Sequence, residues 1–508
     1  MLRLPKSIFK SIRVAILNDP EVRRSIASYP RFWRWTGQRF SASDPFGLQL
    51  TVGIALSLVF LWFFFSVVEA VLSREALIQA DLRLLSLVQM FRSPRLNTVM
   101  AFLTYLGNWQ IVGGGAALVG LYLAVTRRWR WILAMVVSIA GGEGLVWLSK
   151  TGFARQRPDL VNALIPAHGL SFPSGHAFVA ISFYGLVAWF AMERAKTWTV
   201  RVSVALLALV VILAIGFSRI YLGVHWPSDV LASYALGAAW LSALITTFSV
   251  ASASSVEAEP YRGSAWTALL AVAFGVIWVS FVAVFNYTHP LVERIADDQK
   301  TIDLSADDFP SALLAAVPHF TEDIAGTPLE PINVVLVGSE ADLAKAFADA
   351  GWEPTDRISI RTSWRMLIAE LRNRPPSRAP GLPTFWRGQP NQRGFQRVDP
   401  NGSPRERHHL HLWDTAFRVS GDEVWVGTVH YDKQARSAGG TGLLIHQIDP
   451  AVDREREALR ADLSRTSCIL KNAEVSVTEP MQGKNAIGNP FFTDGHAVVV
   501  FLRCGRDS

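Results

Sequence analysis

Apolar residues gather in seven long blocks over the first 290 or so positions, and then give way to short alternating runs. The blocks are Phe46–Leu72, Gln110–Thr126, Trp131–Ser149, Ala177–Met192, Val200–Phe217, Val230–Val250 and Ser264–Asn286. Each approaches the roughly 20 residues that a helix needs to cross a hydrocarbon core. Between the first two, Ser73–Asn108 is mixed in character and predicts a partly helical loop on the membrane surface. Before the first block, LPKSIFKSIRVAIL alternates apolar and basic residues at helical spacing and predicts an interfacial helix. It is not read as a cleavable signal, because the following apolar run starts late and lacks a small-residue cleavage site. From His289 onward the strand-like runs INVVLVG, VWVGTVHY and AVVVFL alternate with the helical patterns SEADLAKAFADAG and VDREREALRADL, as in an α+β domain. Asn373–Asn401, rich in Pro, Arg and Gly, predicts a long irregular excursion, and no internal repeat is visible.

The expected architecture is an all-α helical membrane bundle, a six-helix core plus a seventh span, followed by a soluble α+β domain. Its expected boundaries are 1–45 for the basic interfacial segment, 46–250 for the membrane core, 251–288 for a linker and the seventh helix, and 289–508 for the soluble domain.

Composition agrees with a membrane class: half of the 508 residues are hydrophobic, only 18% are charged, and there are 18 Trp and 29 Phe. The net charge of +7 is unevenly spread, with nine Lys/Arg against three Asp/Glu between Met1 and Phe46. A basic segment abutting a span points to anionic lipid or to topology rather than to nucleic acid. A cytoplasmic N-terminus puts the basic loops Arg127–Arg130 and Glu193–Arg201 in the cytoplasm, as the positive-inside rule prefers. The loop Ala251–Gly263, with Glu257 and Glu259, departs from that rule. With seven spans the C-terminal domain is extracytoplasmic.

Three motifs fall at span ends that this topology puts on the same, extracytoplasmic side. Lys150 to Pro158 (KTGFARQRP) closes the third span, Pro173-Ser174-Gly175-His176 opens the fourth, and Ser218 to Asp229 (SRIYLGVHWPSD) joins the fifth to the sixth. Lys150, Arg157 and Arg219 supply three cations for phosphate oxygens and for the charge that develops in phosphoryl transfer. Ser174 and Gly175 offer a hydroxyl and free N–H groups at a helix start. His225 is the candidate nucleophile. Asp229, one helical turn on, is placed to fix its tautomer. His176 is the candidate acid for the leaving oxygen. No cofactor or metal is called for by this set.

These residues resemble the type 2 phosphatidic acid phosphatase superfamily, whose pattern KxxxxxxRP, PSGH, SRxxxxxHxxxD is matched without substitution from Lys150 to Asp229. The resemblance covers about the first 250 residues. It implies a six-helix core, a phosphohistidine route, and the roles just given to the eight residues. Soluble vanadium haloperoxidases and glucose-6-phosphatase share the motif set, so it speaks to mechanism rather than to substrate. The surrounding spans favour a lipid phosphate such as phosphatidic acid, phosphatidylglycerol phosphate or undecaprenyl diphosphate, in the inner membrane of a bacterium. Phosphotransfer to an acceptor other than water, or lipid-phosphate binding and transport without catalysis, are the alternatives. The paired imidazoles argue against pure binding, which needs only the cations.

Glu143 sits seven residues before Lys150, on nearly the same helix face, as a candidate support for Lys150 or Arg157. The sequence around it, GGEG, reads equally as a packing site. The C-terminal half resembles the LssY-like C-terminal domain through RHHLHLW, VWVGTVHYD, HQIDP and FFTDGH, a resemblance that implies no particular chemistry but allows an extracytoplasmic partner. In RHHLHLW, His409 and His411 lie on one strand face, and His430, His446, Asp449 and Asp494 are candidates to converge with them on a metal. The competing reading is a polar strand paired within the fold. Cys468 and Cys504 are the only cysteines, and an oxidising compartment favours a disulfide between them.

Overall fold

The computed structural model describes residues 18–41, 46–73, 76–158, 163–253, 265–291, 301–356, 384–398, 406–437, 444–484 and 488–505, with a few isolated positions between 359 and 368. The predicted interfacial helix within residues 1–17 lies outside the described residues, as do 373–383 and 399–401 of the expected irregular excursion; the rest of that stretch is not irregular but forms the strands Phe385–Trp386, Gln389–Pro390 and Arg393–Val398.

Two short helices come first, α1 (Pro20–Ser28) and α2 (Pro30–Arg39). Asp19 caps α1, its carboxylate accepting from the N–H groups of Glu21 and Val22. Then follow α3 (Leu48–Leu72), α4 (Ala76–Gln89), α5 (Pro94–Tyr105), α6 (Trp109–Val125), α7 (Trp129–Phe153), α8 (Gly175–Arg194), α9 (Trp198–Tyr221), α10 (Pro227–Ala253) and α11 (Ala265–Thr288). Among the described residues six helices are long and apolar enough to cross a membrane, and α5 with α6, bent by 49°, would make a seventh. The seven apolar blocks of the sequence therefore each fall on one of these helices. The mixed stretch between the first two blocks is more regular than expected, forming α4 and α5. The fold is a multi-pass membrane bundle with an attached strand-rich domain.

The GGEG segment is a close-packing site. A Cβ on Gly141 would come within 2.7 Å of the Trp240 ring, and one on Gly142 within 2.5 Å of Phe178. One π-turn in α7 (Val137–Gly141) faces another in α8 (Ile181–Gly185), joined where Ser138 Oγ donates to Ser182 O at 3.0 Å.

The C-terminal domain is built on one nine-stranded sheet. Its strands are β1 (Ile302–Leu304), β2 (Val334–Val337), β3 (Glu353–Pro354), β4 (Arg393–Val398), β5 (Arg407–Val419), β6 (Asp422–Ser437), β7 (Leu444–Ile448), β8 (Ile469–Ser476) and β9 (His496–Leu502). The order is β8-β9-β2-β6-β5-β4-β3, with β1 also on β5 and β7 also on β6. One face packs Leu410, Leu412, Val429 and Val500 against Leu343, Phe347, Leu459 and Leu463, which come from α13 (Glu340–Asp349) and α14 (Val452–Ser464), numbered after the short α12 (Ser311–Ala316). The other face gathers Val335, Trp413, Val426 and Val499 under Phe309, Leu313 and Trp386. Alternating burial of Leu410 and Leu412 on one side and His409, His411 and Trp413 on the other is the period-2 signature of a strand covered on both faces. Cys468, after α14, is disulfide-bonded to Cys504, just beyond β9.

This domain sits on α4. Arg83 Nη2 donates to Glu322 Oε2 at 2.7 Å, in a nearly buried pair. Gly326 and Gly388 both adopt positive φ, and a Cβ on either would collide, with Arg83 in one case and Leu82 in the other. Tyr105 also donates to His289 O at 2.8 Å. The domain thus lies at the same end of the bundle as the three motifs.

Candidate active site

Helix α9 ends at Tyr221, and just beyond its cap Gly223, at φ +79°, turns the chain and delivers His225 into the short turn before α10. Asp229 follows within the first turn of α10, so the two side chains lie one above the other. His225 Nδ1 is 3.3 Å from Asp229 Oδ2, and both residues are fully buried. On the other ring nitrogen, Arg157 Nη1 stands 3.1 Å from His225 Nε2. A guanidinium can only donate. Nε2 therefore carries the lone pair and Nδ1 the proton that faces Asp229. Burial, reinforced by Arg219, Arg157 and Lys150, holds the His225 imidazole well below its ordinary range and thus neutral.

Arg157 is itself fixed by backbone: it donates to Val224 O at 2.7 Å, Gly169 O at 3.0 Å and His168 O at 3.1 Å. Lys150, in the last turn of α7, donates to Leu170 O at 2.8 Å. Arg219 donates to Thr104 Oγ1 at 2.6 Å, while its buried Nε has no hydrogen-bond partner. Ser174 is the N-cap residue of α8, yet its buried hydroxyl caps nothing and is also unpartnered. Gly175 opens the helix beside it. Two buried donors left unsatisfied where the motifs converge are costly unless an anion meets them. His176 Nε2 is 2.8 Å from Asn108 Oδ1, the amide oxygen holding a proton on that nitrogen. The structure thus brings the three motifs to one place at the ends of α7, α8, α9 and α10.

Glu143 acts on Lys150 only through space. It lies on the exposed face of α7 and makes no hydrogen bond or ion pair with Lys150 or Arg157, whose donors go to backbone carbonyls. The buried carboxylate that does reach this region is Asp81 of α4. Ala154, at φ +47°, ends α7 and turns the chain so that Arg155 and Arg157 both reach the His225/Asp229 pair. Arg155 donates to Asp229 Oδ1 and to Asp81 Oδ2, each at 2.7 Å. Asp81 in turn accepts from the Ser228 N–H at 2.9 Å and from its hydroxyl. Ser171 donates to Asp229 Oδ2, which also accepts from Trp226 N at 3.0 Å. Arg155, Asp81, Ser171 and Asn108 were not legible as site residues. Arg155 and Ser171 at least lie within or just before motifs, whereas Asp81 is distant from all three in sequence.

Residues 131–253 match the PAP2 superfamily, and residues 314–497 match the domain described as LssY C-terminus. Phosphatidylglycerophosphatase B of Bacillus subtilis is 30% identical over 181 residues, which is 35% of this chain and 88% of that protein. The chain belongs to the PAP2 superfamily. It is a phosphatase-class hydrolase carrying an LssY-type C-terminal domain. The undecaprenyl-diphosphatase of Sulfolobus acidocaldarius is 29% identical over 199 residues, covering 37% of this PAP2 protein and 87% of the relative. Among solved structures, the PAP2-type phosphatidylglycerolphosphate phosphatase of Bacillus subtilis is 28% identical and covers 38% of this chain and 94% of its own, with a TM-score of 0.33. LpxE of Aquifex aeolicus is 25% identical, covering 33% and 94%, with a TM-score of 0.27.

In the C-terminal domain the antiparallel register sets His409 opposite His430 and His411 opposite Thr428. His409, His411 and His430 therefore share one face. Asp449 and Asp494 do not join them: Asp449 pairs with Lys433 at 2.9 Å, and Asp494 with Arg456 at 2.7 Å. The His446 side chain lies outside the described residues.

Proposed function

We propose that this protein hydrolyses phosphate or diphosphate esters of membrane lipids on the extracytoplasmic face of a bacterial inner membrane, through a phosphohistidine at His225. The observation that carries the reading is the setting of His225, with Nδ1 3.3 Å from Asp229 and Nε2 3.1 Å from Arg157, where the motifs that also hold the unpartnered donors of Arg219 and Ser174 converge. In the first step Nε2 attacks phosphorus and the bond to the lipid oxygen breaks. The phosphate oxygens rest on Lys150, Arg157, Arg219, Ser174 and the Gly175 N–H, and His176 gives its proton to the leaving oxygen. In the second step water attacks phosphorus, the N–P bond breaks, and His176 takes the water proton. Asp229, held by Arg155 and Ser171, stabilises the imidazolium character that develops on His225.

A lipid substrate is supported by an apolar groove of about 530 Å³ that runs between α5, α8, α9 and α11, past Leu106, Tyr184, Val211 and Val282. It begins two residues from Asn108, the partner of the proposed acid. The relatives named for phosphatidylglycerophosphate and undecaprenyl diphosphate chemistry point the same way. In this reading residues 46–250 form the catalytic core, 251–288 add the seventh span, and 289–508 form an extracytoplasmic domain. The test is phosphate release by purified protein across phosphatidic acid, phosphatidylglycerol phosphate and undecaprenyl diphosphate, with acid-labile phosphoenzyme trapped and mapped. A phosphoryl group mapping to any residue other than His225 overturns the mechanism. Protection of the C-terminal domain from protease added to the extracytoplasmic face overturns the orientation.

A further inference from the structure

The face of the sheet that carries Trp413 and Val426 becomes polar toward the other end of β5 and β6. Here His409, His411 and His430 are all buried, at 2%, 3% and 8% exposure. One ring nitrogen from each lies within 4.8 Å of the other two. The ring centroids are 4.5 Å apart for His409 and His411, 5.8 Å for His409 and His430, and 5.6 Å for His411 and His430. His411 Nδ1 is buried with no hydrogen-bond partner. An orphaned imidazole nitrogen in a dry interior costs about 1–3 kcal/mol, so three rings turned toward one another need a reason.

The charges around the rings supply one. Asp432 Oδ2 is 3.7 Å from His409 Nδ1, and its Oδ1 is 3.6 Å from His430 Nε2. Glu330, from the strand Pro328–Pro331, places Oε2 3.3 Å from His430 Nδ1. Arg407 faces Asp432 at 3.4 Å and donates to Gln396. Two carboxylates set against the rings favour positive charge on the imidazole side, supplied by a bound cation or by a proton on one ring.

We propose that His409, His411 and His430 bind a divalent transition-metal ion of the zinc class. Three neutral imidazoles are the donor set such ions prefer over magnesium or calcium, which take oxygen ligands. Asp432 is within reach of two of the rings and serves as the fourth ligand or as their orienting carboxylate. Glu330 acts behind His430, in the carboxylate–histidine–metal arrangement that fixes a ligand ring. The antiparallel register makes the site rigid, because slipping either strand by one residue would turn its histidines to the other face.

The experiment uses the full-length protein purified in detergent, stripped with chelator, incubated with Zn²⁺ and freed of excess metal. Elemental analysis is expected to find about one zinc per chain, falling at least tenfold in His411→Ala and in His430→Ala. Glu330→Gln is expected to keep the ion but weaken its affinity about 10–100-fold. The exposed group Glu474, Asp494 and His496 is the competing location; loss of the ion in His496→Ala with retention in His411→Ala overturns the proposal. Should the alanine variants not fold, X-ray absorption of the unmodified zinc-loaded protein decides. A shell with imidazole scattering from three histidines upholds the site, and a shell without it, or protein that holds no zinc, overturns it.

Discussion

The membrane bundle and the C-terminal sheet each bury histidines beside an aspartate, in surroundings of opposite sign. Around His225 stand Lys150, Arg155, Arg157 and Arg219, with Asp229 and Asp81 as their counterweight. Around His430 stand Glu330 and Asp432, with Arg407 beside Asp432. Burial acts on both rings in the same direction, toward the neutral form. At His225 the cations push further that way. At His430 the Glu330 and Asp432 carboxylates, 3.3 and 3.6 Å away, oppose burial and favour positive charge at the ring. In the proposed reading, one side-chain type thus serves as an anion-facing nucleophile in one field and as a cation-holding group in the other. The lesson is that a buried histidine is interpreted by the net charge of its shell, and not by its burial.

The sharpest way to break this contrast is His225→Ala. It is expected to cut lipid-phosphate turnover by about 10⁴–10⁶-fold, as loss of a nucleophile does in other covalent hydrolases. Binding of the lipid phosphate should survive, because the cations remain; turnover near that of the unmodified protein would remove His225 from the chemistry. Next in size is His176→Ala, with an expected loss of about 10²–10⁴-fold on a natural lipid ester. The loss should shrink on a nitrophenyl phosphate, whose leaving group needs little protonation, and an equal loss on both substrates would count against the acid role. Asp81→Asn tests the support beneath the pair. A drop of up to about 10²-fold in kcat with KM little changed is expected, since Arg155 would lose one of its two carboxylates; a KM effect alone would make Asp81 a structural residue. Chelator separates the two regions. Turnover should be unaffected by chelator and blocked by vanadate, which adopts the five-coordinate geometry of phosphoryl transfer, whereas the C-terminal domain should lose its ion. Turnover abolished by chelator and restored by Mg²⁺ would erase the distinction. The smallest effect on turnover belongs to the disulfide. Reduction of Cys468–Cys504, which closes a 36-residue separation, should lower domain stability by up to about 4 kcal/mol in the chain-entropy picture, read by thermal unfolding of membranes with and without reductant. Identical unfolding in both would show that the bridge is not formed.

What the sequence made legible follows from locality. Lys150, Arg157, Ser174, His176, Arg219, His225 and Asp229 lie in short motifs at helix ends, where residue type and spacing alone bring them to one membrane face. The apolar blocks located the helices because a span must be apolar along its whole length. Asp81 was out of reach, since its partner Arg155 is 74 positions away and only the packing of α4 joins them. Period 2 placed His409 with His411, but adding His430 required the register of a neighbouring strand, which pattern does not give. The same limit explains Asp449 and Asp494, which have the right chemistry and lie elsewhere in the fold. Glu143 has the right helical spacing to Lys150, but the spacing says nothing of the glycines beside it, which seat α7 against Trp240 and Phe178.

Two matches to two separate families invite the picture of interchangeable cassettes. Helix α4 contradicts it. Asp81 turns inward to Arg155, and two residues later Arg83 turns outward to Glu322, so one helical turn is shared by the network around Asp229 and the domain seam. Excising the soluble half would take away Glu322 and uncover the Arg83 guanidinium on α4. A chimera that grafts this domain onto another PAP2 core must therefore carry a cation at the position of Arg83 and room for it above Gly326. Inheritance of the fusion is inheritance of that joint.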